Sequence, residues 1–212
     1  MVKMVKASFE ILDQIDGNEI LRKIEQAGRT CYKSEDKMTP DSAKKFINMI
    51  LRVGHESVLE HEKVSVRVIC DRGVSHEIVR HRIASYSQES TRYCNYGKDK
   101  FGKEITVICP LVDGGSQQDY VNHIIWETAM KATESSYMTL IDNGISPQIA
   151  RSVLPNSLKT EIVITYNLRE WRHFFKLRTS PKAHPQMREI TIPLLHKFKE
   201  LIPVIFDDIN PE

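Results

Sequence analysis

Long apolar runs are missing from this sequence of 212 residues. The longest uncharged apolar stretch, about Ile105 to Val112, falls far short of the roughly 20 residues that cross a bilayer, so no transmembrane helix is expected. Glycine and proline are scarce, nine of each, and no internal repeat or Pro/Gly/Ser linker interrupts the chain. Collagen-like, disordered and low-complexity classes are thereby excluded. An excess of one charge is also missing: 30 Lys and Arg stand against 28 Asp and Glu, too balanced for a bulk polyanion binder. The opening MVKMVKASFEIL has no apolar signal core and no lipidation motif closes the chain, which leads us to expect a cytoplasmic protein without a membrane partner. Cys31, Cys70, Cys94 and Cys109 form no CxxC pair, so a zinc ribbon or dithiol motif is not signalled and reduced thiols are expected. No GxGxxG dinucleotide turn occurs.

What is present is the alternation of one α/β domain spanning 1–212. Val5 to Leu12 reads as a strand, and Glu19 to Tyr32 as a helix with Ile20, Leu21, Ile24 and Ala27 on one side. Thr39 and Pro40 supply cap and first-turn residues for a second helix. Its apolar positions are Ala43, Phe46, Ile47, Ile50 and Leu51, and Gly54 ends it. His55 follows directly. Val64 to Cys70 alternates as a half-buried strand, Ser75 to Arg82 reads as a short helix, Ile83 to Tyr93 as a polar extended segment, and Glu104 to Cys109 as a strand.

Ser116 and Asp119 form a capping-box start for a long helix carrying Val121, Ile124, Ile125, Tyr137, Leu140 and Ile141, with Gly144 at its end. Ser146 and Pro147 open a short helix carrying Arg151, and Leu158 to Tyr166 is a β-branched strand. Asn167 caps a helix in which Trp171, Phe174, Phe175 and Arg178 stand at i, i+3, i+4 and i+7. An Arg in line with an apolar stripe calls for a buried or interfacial anion. Pro193 should kink or split the last helix, Gln186 to Ile202.

Charge is unevenly spread. Phe101 to Ala150 holds two Lys against six acids, whereas Arg151 to Ile190 holds eight basic residues against three acids. Five Arg lie between Val66 and Tyr93, interleaved with Ser, Gln and Tyr, a mixture suited to phosphate, sugar and a planar ring. The focal segment is RHRIASYSQESTRY, Arg80 to Tyr93. Its adjacent cations repel one another unless an anion or solvent compensates, and its hydroxyls and amides suit a loop making directed hydrogen bonds. A nucleotide is the natural ligand class.

Arg80, His81, Arg82 and, after seven residues, Ser90 match in register the signature of the flavin-dependent thymidylate synthases. GHESVLEH at Gly54 to His61, IARSVLP at Ile149 to Pro155 and YNLREWRHFFKLR at Tyr166 to Arg178 also resemble that family in order and spacing. The resemblance implies a central, largely antiparallel or mixed sheet flanked by helices. It implies reductive methylation of dUMP to dTMP, with 5,10-methylenetetrahydrofolate as carbon donor and FAD, reduced by NADPH, as hydride source. It further implies no cysteine nucleophile, no metal, no nucleic-acid partner and a homotetramer with shared active sites. Consistently, no cysteine stands in sequence beside an obvious base.

Carried over by position, the resemblance makes Arg178 the residue that binds the uracil edge and favours its ionisation, with Ser90 near the reacting ring and His55 near the flavin and folate. It places Ser57, Arg80, His81, Arg82, Gln88, Asn167, Leu168, Arg169 and His173 on FAD. It places Glu77, Arg80, Gln88, Glu89, Ser90, Thr91, Arg92, Arg151 and Arg178 on dUMP. The chain departs from the pattern at several points: Glu77 stands where some relatives have Gln, Ser87 and Gln88 where others have Asn and Glu, Cys31 where a small hydroxyl residue is common, and His173 where Asn occurs. Three rival readings are a metal site at HESVLEH, a noncatalytic nucleotide- or RNA-binding module, and a cysteine-dependent methylase. The histidine spacing of HESVLEH is unlike that of a zincin helix.

Overall fold

A computed structural model describes residues 2–112 and 114–211. Helices and sheet alternate in the order β1 (Lys3–Met4), β2 (Ser8–Ile11), α1 (Gly17–Tyr32), α2 (Ser42–Val53), β3 (Lys63–Asp71), α3 (Arg72–Ile78), β4 (Ala84–Gln88), β5 (Thr106–Val107), α4 (Gln117–Asp142), α5 (Pro147–Ala150), β6 (Lys159–Asn167), α6 (Leu168–Arg178), α7 (Pro185–Leu201) and α8 (Pro203–Phe206). The expected mixed helix-and-sheet class is the one observed. Strands β2, β3, β6 and β4 form a four-stranded sheet in that order, and β1 pairs in parallel with β5, Lys3 opposite Thr106 and Met4 opposite Val107.

The chain divides into two compact units, with boundaries inside β2, β3, β4 and β6 and one at the end of α3. The first comprises 2–8, Val68–Ile78 and Ser87–Ile162; the second comprises Phe9–Arg67, Val79–Tyr86 and 163–211.

The core of the first unit gathers Val2, Tyr96, Ile105, Val107, Met130, Tyr137, Ala150 and Leu158. Its long helix α4 starts where the sequence places it: the Ser116 hydroxyl accepts the Asp119 N–H and the Asp119 carboxylate answers on the Ser116 N–H. The aliphatic residues of its first half are not core, however. Tyr120, Val121, Ile124 and Ile125 are 63%, 37%, 43% and 63% exposed.

In the second unit Ile20, Leu21 and Ile24 of α1 and Phe46, Ile47 and Ile50 of α2 are buried, and Gly28 of α1 allows close approach, since a Cβ there would meet the Phe46 ring at 2.6 Å. Trp171 and Phe175 of α6 stack at 5.4 Å and meet Phe198 of α7 at 5.0 and 5.1 Å. Truncating one such fully buried aromatic costs about 3–5 kcal/mol. This packing makes α6 a fixed rail for its polar residues.

Several expected boundaries move. Of Val5 to Leu12 only Ser8–Ile11 is strand, β1 lying ahead of it, and α1 starts at Gly17 because the Asp16 carboxylate accepts the N–H groups of Asn18 and Glu19. Thr39 and Pro40 form a turn ahead of α2; the Thr39 N–H and carbonyl both bond the Ser42 hydroxyl, and the helix begins only there. Asp71 accepts the Val74 N–H at 2.8 Å, which starts α3 at Arg72, before Ser75, and the helix ends at Ile78, so the RHR segment lies outside it. The extended segment after it is strand only over Ala84–Gln88, and Glu104 to Cys109 contributes only Thr106–Val107. Helix α5 stops at Ala150, leaving Arg151 to open a 3-10 turn, and β6 is shifted by one residue. Pro193 does not split α7, which runs through it from Pro185 to Leu201.

Candidate functional site

The expected site residues fall into two groups, one in each unit. In the first unit Arg72 opens α3, its N–H held by the Asn156 and Leu158 carbonyls at 2.9 and 3.1 Å. Its guanidinium donates to the Glu89 carbonyl at 3.3 Å and the Thr160 hydroxyl at 3.4 Å. Gln88, at the end of β4, donates to the hydroxyls of Ser75 at 2.8 Å and Thr160 at 3.3 Å. The chain then turns at Ser90, whose carbonyl accepts the Tyr93 and Cys94 N–H groups at 3.0 and 2.9 Å and whose hydroxyl accepts the Arg92 N–H at 3.4 Å. Arg151 donates to the Thr91 hydroxyl at 3.2 Å.

A hollow of about 430 Å³ lies here, lined by Arg72, His76, Thr91, Gln148, Arg151 and Asn156 among others. Both arginines are held by neutral acceptors, so these bonds orient their charge without cancelling it. Glu89 differs: its carboxylate takes the Lys159 ammonium at 3.0 Å and the Tyr96 hydroxyl at 2.9 Å, which commits it to protein partners. Glu77 lies on α3 and Arg92 is exposed. Arg72 escaped the sequence reading because nothing in its spacing separates it from a surface arginine.

In the second unit Gly54 ends α2 with φ 75°, and the chain enters a 3-10 turn over Glu56–His61. His55 and Ser57 are exposed, and the His55 Nδ1 lies 2.8 Å from the Tyr32 hydroxyl. Arg80 and Arg82 face solvent while His81 between them is 4% exposed, its ring edge-on to Phe174 at 4.9 Å. The His81 Nδ1 lies 2.8 Å from Glu170 Oε1, and the Arg178 Nε–H donates to His81 Nε2 at 3.0 Å. The Tyr86 hydroxyl donates to the His81 carbonyl at 2.9 Å and lies 2.9 Å from the Tyr166 hydroxyl. Burial, with the charges of Arg178, His173 and Arg80, pushes the His81 imidazole down to about 4. Burial alone pushes Glu170 up to about 7.

Helix α6 supplies most of this group. Asn167 caps it by accepting the Glu170 N–H at 2.8 Å. A hollow of about 500 Å³ is lined by Glu56, Glu60, Arg82, Ile83, Asn167, Arg169, Glu170, His173 and Lys176. Its cations and amide suit a pyrophosphate and its acids suit hydroxyls, so the donor set fits a dinucleotide such as FAD. Arg169 is paired with Glu60 at 2.5 Å. Leu168 is the exception among the expected residues: its side chain is fully buried and its N–H is given to the Glu62 carbonyl. Gln88 also stands apart from this group, since its side chain bonds within the first unit.

Three features lay outside the sequence reading. Arg172 is 2% exposed and joins the Asp208 carboxylate at 2.6 and 2.7 Å, Glu56 at 3.3 Å and the Ile205 carbonyl. The only hint is a charge inside the apolar run WRHFF. Cys109 stands near a base in space, its sulfur 3.7 Å from the Nδ1 of His123, which is 14 positions away in sequence; the two are brought together by the approach of α4. Cys70 is inert by comparison, with burial pushing its thiol up to about 12. Potential ligand atoms of His81, Glu170 and His173 lie within 4.8 Å of one another, yet Arg178 already occupies the Nε2 lone pair of His81 and Glu170 its Nδ1. That engagement leaves the ring no free lone pair for a metal.

A family model described as thymidylate synthase complementing protein matches residues 10–204. The chain is 36% identical over 192 residues to a flavin-dependent thymidylate synthase of Geobacter sulfurreducens, covering 87% of this chain and 80% of that one. It is 36% identical over 212 residues to the Mycobacterium tuberculosis protein of the same name, covering 92% and 81%. Among solved structures, the UMP/dUMP methylase PolB of Streptomyces cacaoi bound with 5-Br dUMP superimposes with a TM-score of 0.78 at 26% identity, covering 97% of this chain and 96% of that one. The chain belongs to the flavin-dependent thymidylate synthase family.

Proposed function

We propose that this protein methylates dUMP at C5 to give dTMP, taking the carbon from 5,10-methylenetetrahydrofolate, with FAD as redox cofactor and NADPH as its reductant. The observation that carries the reading is that every candidate site residue, from His55 to Arg178, falls inside residues 10–204 that match the family. When bound, the reduced flavin supplies the hydride that completes the methyl group. Ser57, Arg80, His81, Arg82, Asn167, Arg169 and His173 hold it, Leu168 contributing backbone alone. His55, steadied by Tyr32, stands by the flavin and folate.

Arg151, with Thr91, Arg92 and the additional Arg72, holds the dUMP phosphate, each charge-assisted bond contributing about 1.5–3 kcal/mol. Gln88 and Glu77 serve the sugar and Ser90 the base. Glu89 acts through the shape it gives the Ser90 turn. Arg178 donates to the uracil edge and stabilises the negative charge that makes C5 nucleophilic, an effect of about 3–4 kcal/mol for a preorganised donor. No cysteine attacks the ring. The protein acts as a homotetramer, a reading supported by the exposed Tyr120, Val121, Ile124 and Ile125 on α4. Among the described residues no helix is long and apolar enough to cross a membrane.

The test is the visible absorption spectrum of the purified protein before and after anaerobic NADPH, followed by tritium release from [5-³H]dUMP with the folate present. A yellow protein that bleaches and releases tritium is expected. A colourless protein that takes up no added FAD would overturn the reading.

A further inference from the structure

We propose that Glu170 is a positioning residue for this reaction: it locks His81 in the tautomer that presents a bare Nε2 to the Arg178 Nε–H and so fixes the guanidinium. The inference rests on the role given to Arg178 above. Its physical basis is a count of hydrogens. A guanidinium is always protonated, so the Arg178 Nε must donate, and His81 Nε2, 3.0 Å away, must accept. A neutral imidazole carries one N–H, which must then sit on Nδ1, and its acceptor is Glu170 Oε1 at 2.8 Å. The opposite tautomer would set two N–H groups against each other at the Arg178 end.

The ring has no easy escape from this choice. It is 4% exposed, so water is a poor substitute partner, and Phe174 meets it edge-on at 4.9 Å. Glu170 and Arg178 are eight residues apart on α6, and the His81 ring bridges them, with its two nitrogens directed to opposite ends of the helix. The helix itself fixes both ends: the Asn167 cap holds the Glu170 N–H, and the Thr191 hydroxyl holds the Arg178 carbonyl at 2.9 Å. The downward displacement of the His81 pKa keeps the ring neutral, as the arrangement requires.

The experiment is ¹⁵N NMR of histidine-labelled protein, loaded with flavin, comparing wild type with Glu170→Ala and Glu170→Gln, together with dUMP turnover. Wild type should show His81 protonated at Nδ1. Glu170→Ala should lose that signature and at least tenfold in kcat expressed per bound flavin. Glu170→Gln keeps an acceptor carbonyl and should restore the tautomer and bring kcat to within about threefold of wild type. If Glu170→Ala fails to fold, wild type and Glu170→Gln still decide, because Nε2 protonation in either overturns the relay. An unchanged tautomer in a folded Glu170→Ala, or an altered tautomer with wild-type kcat, also overturns it. A wild type that methylates nothing while Glu170→Ala still shifts the tautomer would uphold the relay and sink the proposed function.

Discussion

Arg172 in the second unit and Arg72 and Arg151 in the first are held in opposite ways. In the second, Arg172 is met by the carboxylates of Asp208 and Glu56 and Arg169 by that of Glu60, while Arg178 is held by a neutral histidine that Glu170 orients. In the first, Arg72 and Arg151 are oriented by a carbonyl and by hydroxyls, and of the cations near β4 it is Lys159 that is neutralised, by Glu89 and Glu161. Buried pairs are costly to break, whereas a cation held by neutral groups keeps its charge for an incoming anion. The contrast teaches that Arg172 is spent on internal order, whereas Arg72 and Arg151 keep their charge for ligand.

Substitutions in each unit should therefore fail differently. Arg172→Ala removes a buried guanidinium from the partly exposed Asp208 and Glu56 carboxylates and should lower unfolding free energy by about 2–3 kcal/mol in urea titrations. A loss below about 1 kcal/mol would break the comparison. Arg178→Ala should abolish detectable tritium release, a loss of about 3–4 kcal/mol in transition-state stabilisation, while the visible spectrum keeps its flavin bands. Wild-type turnover there would remove Arg178 from the chemistry. Arg151→Ala should raise the KM for dUMP by roughly 10- to 100-fold, the worth of one charge-assisted bond, and leave stability within about 0.5 kcal/mol. A stability loss without a KM change would place Arg151 with Arg172.

The smallest effect is in pH dependence. Glu170, raised to about 7, holds a proton in the fold that the unfolded chain gives up, so its contribution to stability declines as pH rises from about 4.5 to 7. His81, lowered to about 4, lacks a proton that the unfolded chain binds, so its contribution increases from about pH 4 to 6.5. The two slopes oppose each other over most of that window. Glu170→Gln removes the first, and its stability should climb with pH more steeply than wild type by up to about 1.4 kcal/mol per unit. Parallel pH curves for the two proteins would show that Glu170 does not titrate as described.

Legibility in the sequence followed the range of the interactions. The alternation of Val64, Val66, Val68 and Cys70 shows β3, the Ser116–Asp119 box shows the start of α4, and the Trp171, Phe174, Phe175 stripe shows the buried face of α6, because all three depend on neighbours a few residues away. The start of α3 is an exception, set by an Asp71 bond to Val74 as local as the Ser116–Asp119 box, while α7 stays continuous because packing of Leu194, Leu195 and Phe198 outweighs one proline. In the candidate site, the RHR segment and Arg178 were legible through resemblance. Glu170 was not, since its partner His81 lies 89 positions away. Its one local mark is an acid three residues past the Asn167 cap and next to a buried Trp171, where a solvent-facing carboxylate would be the ordinary expectation.

In the proposed homotetramer, the exposed side chains in the first half of α4 would couple folding to mass action. Tyr120, Val121, Ile124 and Ile125, exposed in the single chain, would leave water where another copy covered them, and association would then add to the free energy of the native state. Melting temperature should then climb with protein concentration, and dilution should weaken the fold before it weakens any single contact within it.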